Sequence, residues 1–147
     1  MKLNKKGFTL VEIMIVVAII ALLAAVAIPN LLRARLNANE GAAIGNMHTT
    51  VTAMGSFQAN QSPPTYPATL AALGTATPPY IDTVLSGGTK QGYTFAYTPA
   101  AADARGCVND YALTATPVVV GTTGNRTFFA DASGVIRLTN LAGTPIE

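Results

Sequence analysis

The feature that most constrains this chain is an apolar segment near its start, Phe8 to Pro29, in which Ile13 to Ile28 carries no charged or strongly polar side chain. As a helix rising about 1.5 Å per residue, Phe8 to Pro29 would be roughly 33 Å long, enough to cross a bilayer core of about 30 Å. One carboxylate, Glu12, lies a single turn inside it. A carboxylate at mid-membrane depth costs on the order of 2.5–3.5 kcal/mol, less near the interface, so Glu12 calls for a partner.

Two general readings account for the apolar run but not for Glu12. In the first it is a secretory signal peptide, with Lys2, Lys5 and Lys6 as the basic region and Ala25-Val26-Ala27 as a small-x-small cleavage site. Glu12 then breaks the apolar region near its start. In the second it is an uncleaved anchor whose lysines stay on the cytoplasmic side, an asymmetry that Arg33 and Arg35 weaken slightly. A third reading uses every residue. The stretch Gly7-Phe8-Thr9-Leu10-Val11-Glu12, behind a short lysine-containing leader and ahead of a long apolar helix, resembles the class III signal of type IV pilins and of type II secretion pseudopilins.

That resemblance implies a prepilin peptidase cutting between Gly7 and Phe8, N-methylation of Phe8 as the new terminus, and retention of the apolar helix. It implies a role for Glu12 as well. The Phe8 amine is cationic once freed, and in a dry bundle of helices it would pair with Glu12 of a neighbouring subunit, setting axial register. An uncompensated buried charge costs several kcal/mol, and a single buried polar group that fixes register is well attested. The further partners implied are copies of the chain itself, the membrane before assembly, an inner-membrane platform protein and a cytoplasmic assembly ATPase.

Alanines at 18, 21, 24, 25 and 27 would permit close helix approach, or merely favour helix. Pro29 removes one helix hydrogen bond and crowds the residue four back, which predicts a kink or local melting. Pilins commonly carry a proline there, and the resemblance implies that the helix loosens at Pro29 in the filament. Beyond it Leu32, Leu36, Ala43, Met47, Val51 and Met54 recur at helical spacing, with Arg33, Arg35, Asn37, Asn39 and Glu40 expected off that stripe. This half is too polar to span a membrane and should pack on a globular domain. Gly41, Gly45 and Gly55 would let it bend or fray. His48 should point outward, with no second histidine to complete a site.

Ser62-Pro63-Pro64 ends the helix at about Gln58 to Gln61. Ala68 to Leu73 reads as a short helix and Ser86-Gly87-Gly88 as a flexible turn. From residue 92 the period becomes two: Tyr93, Phe95 and Tyr97 alternate with Thr94, Ala96 and Thr98, and Tyr111, Leu113 and Ala115 repeat the pattern up to Pro117. Arg126 to Ala130 and Val135 to Thr139 complete four strands, the last two joined through Asp131-Ala132-Ser133-Gly134 with glycine able to take a positive φ. The expected fold is α+β and pilin-like: a long N-terminal helix, half apolar and half amphipathic, packed on a four-stranded antiparallel sheet. Its divisions are a cleaved leader at 1–7, the membrane and filament-core helix at 8–29, the amphipathic helix at 30–61, and the connector and sheet at 62–147.

Composition narrows the function. Half of the 147 residues are hydrophobic and 11% are charged, the first thirty supplying much of the excess, so disorder is not expected. Three of the nine basic residues precede Gly7, leaving six against seven acidic ones, and this near-neutral body assigns no nucleic-acid partner. Lys90, Arg105, Arg126 and Arg137 are too scattered to make a basic patch. The aromatic strand, Tyr93 to Tyr97, reads first as core or inter-subunit packing and second as a binding surface.

Cys107 is the only cysteine and cannot form an internal disulfide, such as the one many pilins use to close a C-terminal loop. It reads as a small buried residue, with an intermolecular bridge or reactive thiol as the alternative. Asp103, Asp110 and Asp131 lie in different segments, so no metal is assigned, and no cofactor. Asn60-Gln61-Ser62 and Asn125-Arg126-Thr127 match the N-glycosylation pattern weakly. No nucleophile elbow, metal-ligand spacing or phosphate-cradling loop points to an enzyme.

The function expected is a structural subunit polymerising into an extracytoplasmic filament, first held in the cytoplasmic membrane with its C-terminal domain outside. A secretion pseudopilin, or a minor subunit with an adhesive or DNA-capturing surface, is the alternative.

Overall fold

The computed structural model describes residues 7–138 and 145–146. The leader residues before Gly7, and Thr139 at the expected end of the last strand, lie outside them.

Helix α1 spans Leu10–Ala59 and contains Pro29. It stays helical through Pro29, where a kink or local melting was expected. Next to the proline, the Asn30 side-chain amide donates to Val26 O at 3.0 Å, bonding a carbonyl in the turn that Pro29 crowds. The chain divides into two compact units at Ala34/Arg35. In the first, α1 is long and apolar enough to cross a membrane by length and composition, its most apolar window having a mean hydropathy of 3.0.

In the second unit α1 presents a buried stripe of Ala43, Met47, Thr50, Ala53 and Met54. Leu32, expected on this stripe, is 46% exposed. Thr50 meets its buried hydroxyl's needs by donating to Asn46 O at 2.9 Å. The helix ends at Ala59, just ahead of Ser62-Pro63-Pro64. His48 is exposed.

Two short helices follow. Helix α2, Leu70–Thr75, starts two residues later than expected because Thr69 is the extended N-cap. Helix α3, Thr83–Ser86, precedes the turn expected at Ser86-Gly87-Gly88, which begins one residue later at Gly87: Asp82 caps the helix by accepting the Leu85 amide at 2.8 Å, and Gly87 closes its C-terminus.

Five strands make one antiparallel meander in chain order: β1 Thr89–Lys90, β2 Tyr93–Pro99, β3 Tyr111–Pro117, β4 Phe128–Asp131 and β5 Arg137–Leu138. The expected four become five because β1, two residues long, is too short to show a period. It is anchored by Lys90, whose Nζ donates to Asp82 Oδ2 at 2.6 Å. Strand β4 begins at Phe128 rather than Arg126, since Arg126 is drawn aside to Glu40.

The register lines up Phe95, Ala115 and Phe128 across three strands, a small residue between two rings, and likewise Tyr97, Leu113 and Ala130. The buried face of the sheet shares one core with Ala43, Met47, Ala53 and Met54 of α1. Tyr93 and Phe95 belong to that core and Tyr97 is packed against it, so the aromatic strand serves packing. Gly134 takes φ +77 in the β4–β5 connection, where a positive φ was expected.

Candidate functional site

The start of α1 is a capping box. Thr9 is the N-cap and Glu12 sits three residues on; the Thr9 amide and hydroxyl both donate to Glu12 Oε2 at 2.8 Å, and the Glu12 amide donates back to Thr9 Oγ1 at 3.2 Å. Glu12 is thus partnered inside its own chain, and Thr9 is the residue that holds it. Both Thr9 donors reach Oε2, and a carboxylate oxygen can accept more than one bond. Phe8, one residue outside the cap, is 83% exposed, and nothing lies within 4 Å of a side chain built at Gly7. Gly7, Phe8 and Glu12 therefore come together at one open helix terminus, with Pro29 far along the same helix.

From Leu10 to Leu32, every large apolar side chain is between 46% and 74% exposed. A helix apolar on all sides and covered on none is one whose packing partners lie outside the chain.

A second constellation, which the sequence reading missed, lies on the amphipathic half. Glu40, expected off the stripe, is 5% exposed. Its Oε1 accepts the Asn125 and Arg126 amides at 2.8 and 3.3 Å, and its Oε2 accepts Arg126 Nε at 2.6 Å. Burial works to raise its pKa, but these hydrogen bonds and the guanidinium charge outweigh it and hold the carboxyl below its ordinary value. Arg126 Cζ lies 5.7 Å from the centre of the Phe128 ring, and Tyr93 donates its hydroxyl to Arg126 O at 3.0 Å. Burial, reinforced by the Glu40 charge and opposed by Arg126, pushes Tyr93 up to about 12. One residue earlier Asn39 Nδ2 donates to Thr123 O at 3.0 Å. Residues 39–40 thereby tie the β3–β4 connection to α1. A signal was present: Glu40 is a charge at a position where the apolar stripe should continue between Leu36 and Ala43.

The remaining polar groups serve the fold. Around exposed His48, the hydroxyls of Thr49, Thr52 and Ser56 donate back to carbonyls of their own helix at 2.9–3.0 Å and converge on nothing. Asp110 accepts the Tyr111 amide at 2.7 Å, and Asp131 caps the turn at Ser133. Asp103 accepts the Cys107 and Arg105 amides at 3.0 and 2.8 Å, Arg105 Nε and Nη2, and Asn109 Nδ2. These bonds, led by the Cys107 amide, hold its carboxyl well below the usual carboxylate range. Cys107 is buried in that loop with its thiol unpaired by any disulfide. No group of three or more His, Cys, Asp or Glu side chains able to hold a metal occurs among the described residues.

Comparison with known proteins agrees with this distribution of features. The prokaryotic N-terminal methylation motif matches residues 2–28. The chain is 46% identical over 77 residues to the type IV wide pilus major component PilA4 of Thermus thermophilus, covering 52% of this chain and 59% of that protein. It is 48% identical over 54 residues to the type IV major pilin protein PilA of Myxococcus xanthus, covering 37% of this chain and 24% of that protein. The chain thus spans less than two thirds of either relative. No solved structure matches it.

Proposed function

We propose that this chain, which belongs to the type IV pilin family through its N-terminal signal and helix, is a structural subunit of a type IV pilus. The observation that carries the reading is the uncovered apolar half of α1. With every large apolar residue from Leu10 to Leu32 about half exposed or more, the segment is stable only in lipid or against other helices like itself. At roughly 1.5–3 kcal/mol for each large apolar side chain fully buried, transfer between those two environments involves large terms that nearly cancel. Lateral packing of helices can then replace lipid contact as a subunit leaves the membrane.

In this reading a prepilin peptidase cuts between Gly7 and Phe8, Phe8 is N-methylated, and the processed subunit waits in the cytoplasmic membrane with its sheet unit outside the cytoplasm. A platform protein and an ATPase drive its extraction into a filament of identical copies. The new Phe8 amine lies beside the capping box, and Glu12 of a neighbouring subunit supplies the counter-charge that fixes register. Thr9 holds that carboxylate at the helix start, ready for the partner amine. Helix loosening at Pro29 on assembly belongs to the same proposal. Both relatives are named as major pilus components, which favours a pilus subunit over a secretion pseudopilin. Structural subunits of this kind perform no catalysis.

The test is Glu12→Val in cells that assemble the chain. The variant should be processed and membrane-inserted yet yield few or no filaments by electron microscopy, and filaments at the normal level would refute the register mechanism.

A further inference from the structure

We propose that the loop Val118–Val120 of each subunit packs on the apolar half of α1, Leu10 to Leu32, of a neighbouring copy. The proposal rests on the filament reading above and names a contact that the reading does not contain.

Val118, Val119 and Val120 follow β3 and are 55%, 51% and 73% exposed, three consecutive β-branched residues in water. The loop beneath them is closed. The Thr122 and Thr123 amides donate to Val119 O at 3.1 and 2.9 Å, Gly121 N donates to Gly124 O at 3.0 Å, and Val118 N donates to Gly92 O at 3.0 Å. Thr123 Oγ1 accepts the Val119 amide at 3.1 Å, and Asn39 holds Thr123 O. These bonds fix the backbone of the loop, so the outward surface is methyl groups on a fixed frame. A frame already ordered loses little conformational entropy on docking.

The chemistry of the loop selects its partner. From Val118 to Gly124 there is no charged residue, so an acidic or basic partner gains nothing there. A lipid headgroup layer is a poor match too: surface-binding segments pair apolar residues with lysine, arginine or tryptophan, and here the adjacent Arg126 is already held by Glu40.

An apolar partner remains, and the largest uncovered apolar surface of the described chain is α1 from Leu10 to Leu32. The area points to a polymer. Three valines at this exposure present on the order of 250 Å², well short of the roughly 800 Å² per partner of a standard interface. Alone the loop would not hold a dimer. Repeated along a filament whose helices already bury one another, it would cover the outward side of a neighbour's helix.

The experiment places a photo-crosslinking amino acid at position 119 of the full chain, in cells that assemble it, and analyses sheared filaments by mass spectrometry. The expected product is a covalent dimer whose second site falls between Leu10 and Leu32. Alongside it, Val119→Asp should leave the processed, membrane-inserted subunit at its normal level with an unchanged melting temperature, while filament yield falls about tenfold or more, since a carboxylate would be buried without a partner. Crosslinks only to lipid, to another protein or within one chain, no crosslinks from intact filaments, or wild-type filament yield from Val119→Asp would overturn the proposal. The crosslinking arm decides the matter if the aspartate variant misfolds. Failure of the unaltered chain to form filaments overturns the filament reading and this contact together; good filaments without the crosslink overturn this contact alone.

Discussion

Glu12 Oε2 accepts hydrogen bonds from both the amide and the hydroxyl of Thr9, each at 2.8 Å. The carboxylate in the apolar segment therefore has a use within its own chain before any other subunit arrives. It closes the helix N-terminus, where a negative charge is also favoured by the helix dipole. Capping and register are separable roles, because glutamine can close the same box without carrying charge.

Glu12→Gln should accordingly keep the helix start and lose filaments. Thr9→Val should do the reverse in part: losing the cap costs about 1 kcal/mol, frays the first turn, and lowers filament yield less than Glu12→Gln does. Amide exchange of the first helical turn in detergent micelles, measured beside filament counts, separates the two effects. Equal filament yields from Glu12→Gln and the unaltered chain would leave capping as the residue's only role.

Glu40 should dominate the acid side of the sheet unit's stability. Its pKa is lowered in the fold, so its contribution is complete above the unfolded value near 4.5 and is lost as pH falls through the lower folded value, Arg126 remaining charged throughout. Glu40→Gln should flatten the acid side of the stability profile, below the unfolded value near 4.5. Glu40→Ala, which strands two amides and the guanidinium, should cost roughly 2 kcal/mol near pH 7, less than a fully buried pair because Arg126 is half exposed. Denaturant titrations across that pH range check both.

Gly124 should not tolerate a side chain. A Cβ there would run into the Tyr93 ring, 2.8 Å from Cε2, and Tyr93 is fully buried and hydrogen-bonded to Arg126 O. Gly124→Ala should cost about 1–3 kcal/mol through overpacking, read as a lowered melting temperature.

Asp103 organises the loop that carries Cys107, accepting the Arg105 and Cys107 amides. Asp103→Ala should release that loop and expose Cys107, now 3% exposed, to maleimide under native conditions; Asp103→Asn should do so less. Thiol labelling followed by mass spectrometry reads both.

What the sequence disclosed follows from how each signal arises. The apolar run, the amphipathic stripe and the strands at Tyr93 and Tyr111 are periodic over many residues, so local pattern alone exposed them. Strand β1 is two residues held by its neighbours, and α3 is a single capped turn; neither is long enough to carry a period. Glu40 was placed off the stripe because a charge was assumed to face water, although Leu36 and Ala43 bracket it on the buried side. The same reasoning that singled out Glu12, a charge where an apolar residue belongs, applied at Glu40. The Val118–Val120 loop lay beyond reach for another reason: a run of valines reads as core or strand, and only the closed loop shows the side chains turned outward.

In the proposed filament the apolar helix is kept after processing and becomes the inside of the polymer. The most direct measurement is the mass of the N-terminal peptide from sheared, purified filaments. The expected peptide begins at Phe8 and carries one methyl group on its amine. A terminus at Ile28, the product of ordinary signal-peptide cleavage, would contradict it, as would an intact leader.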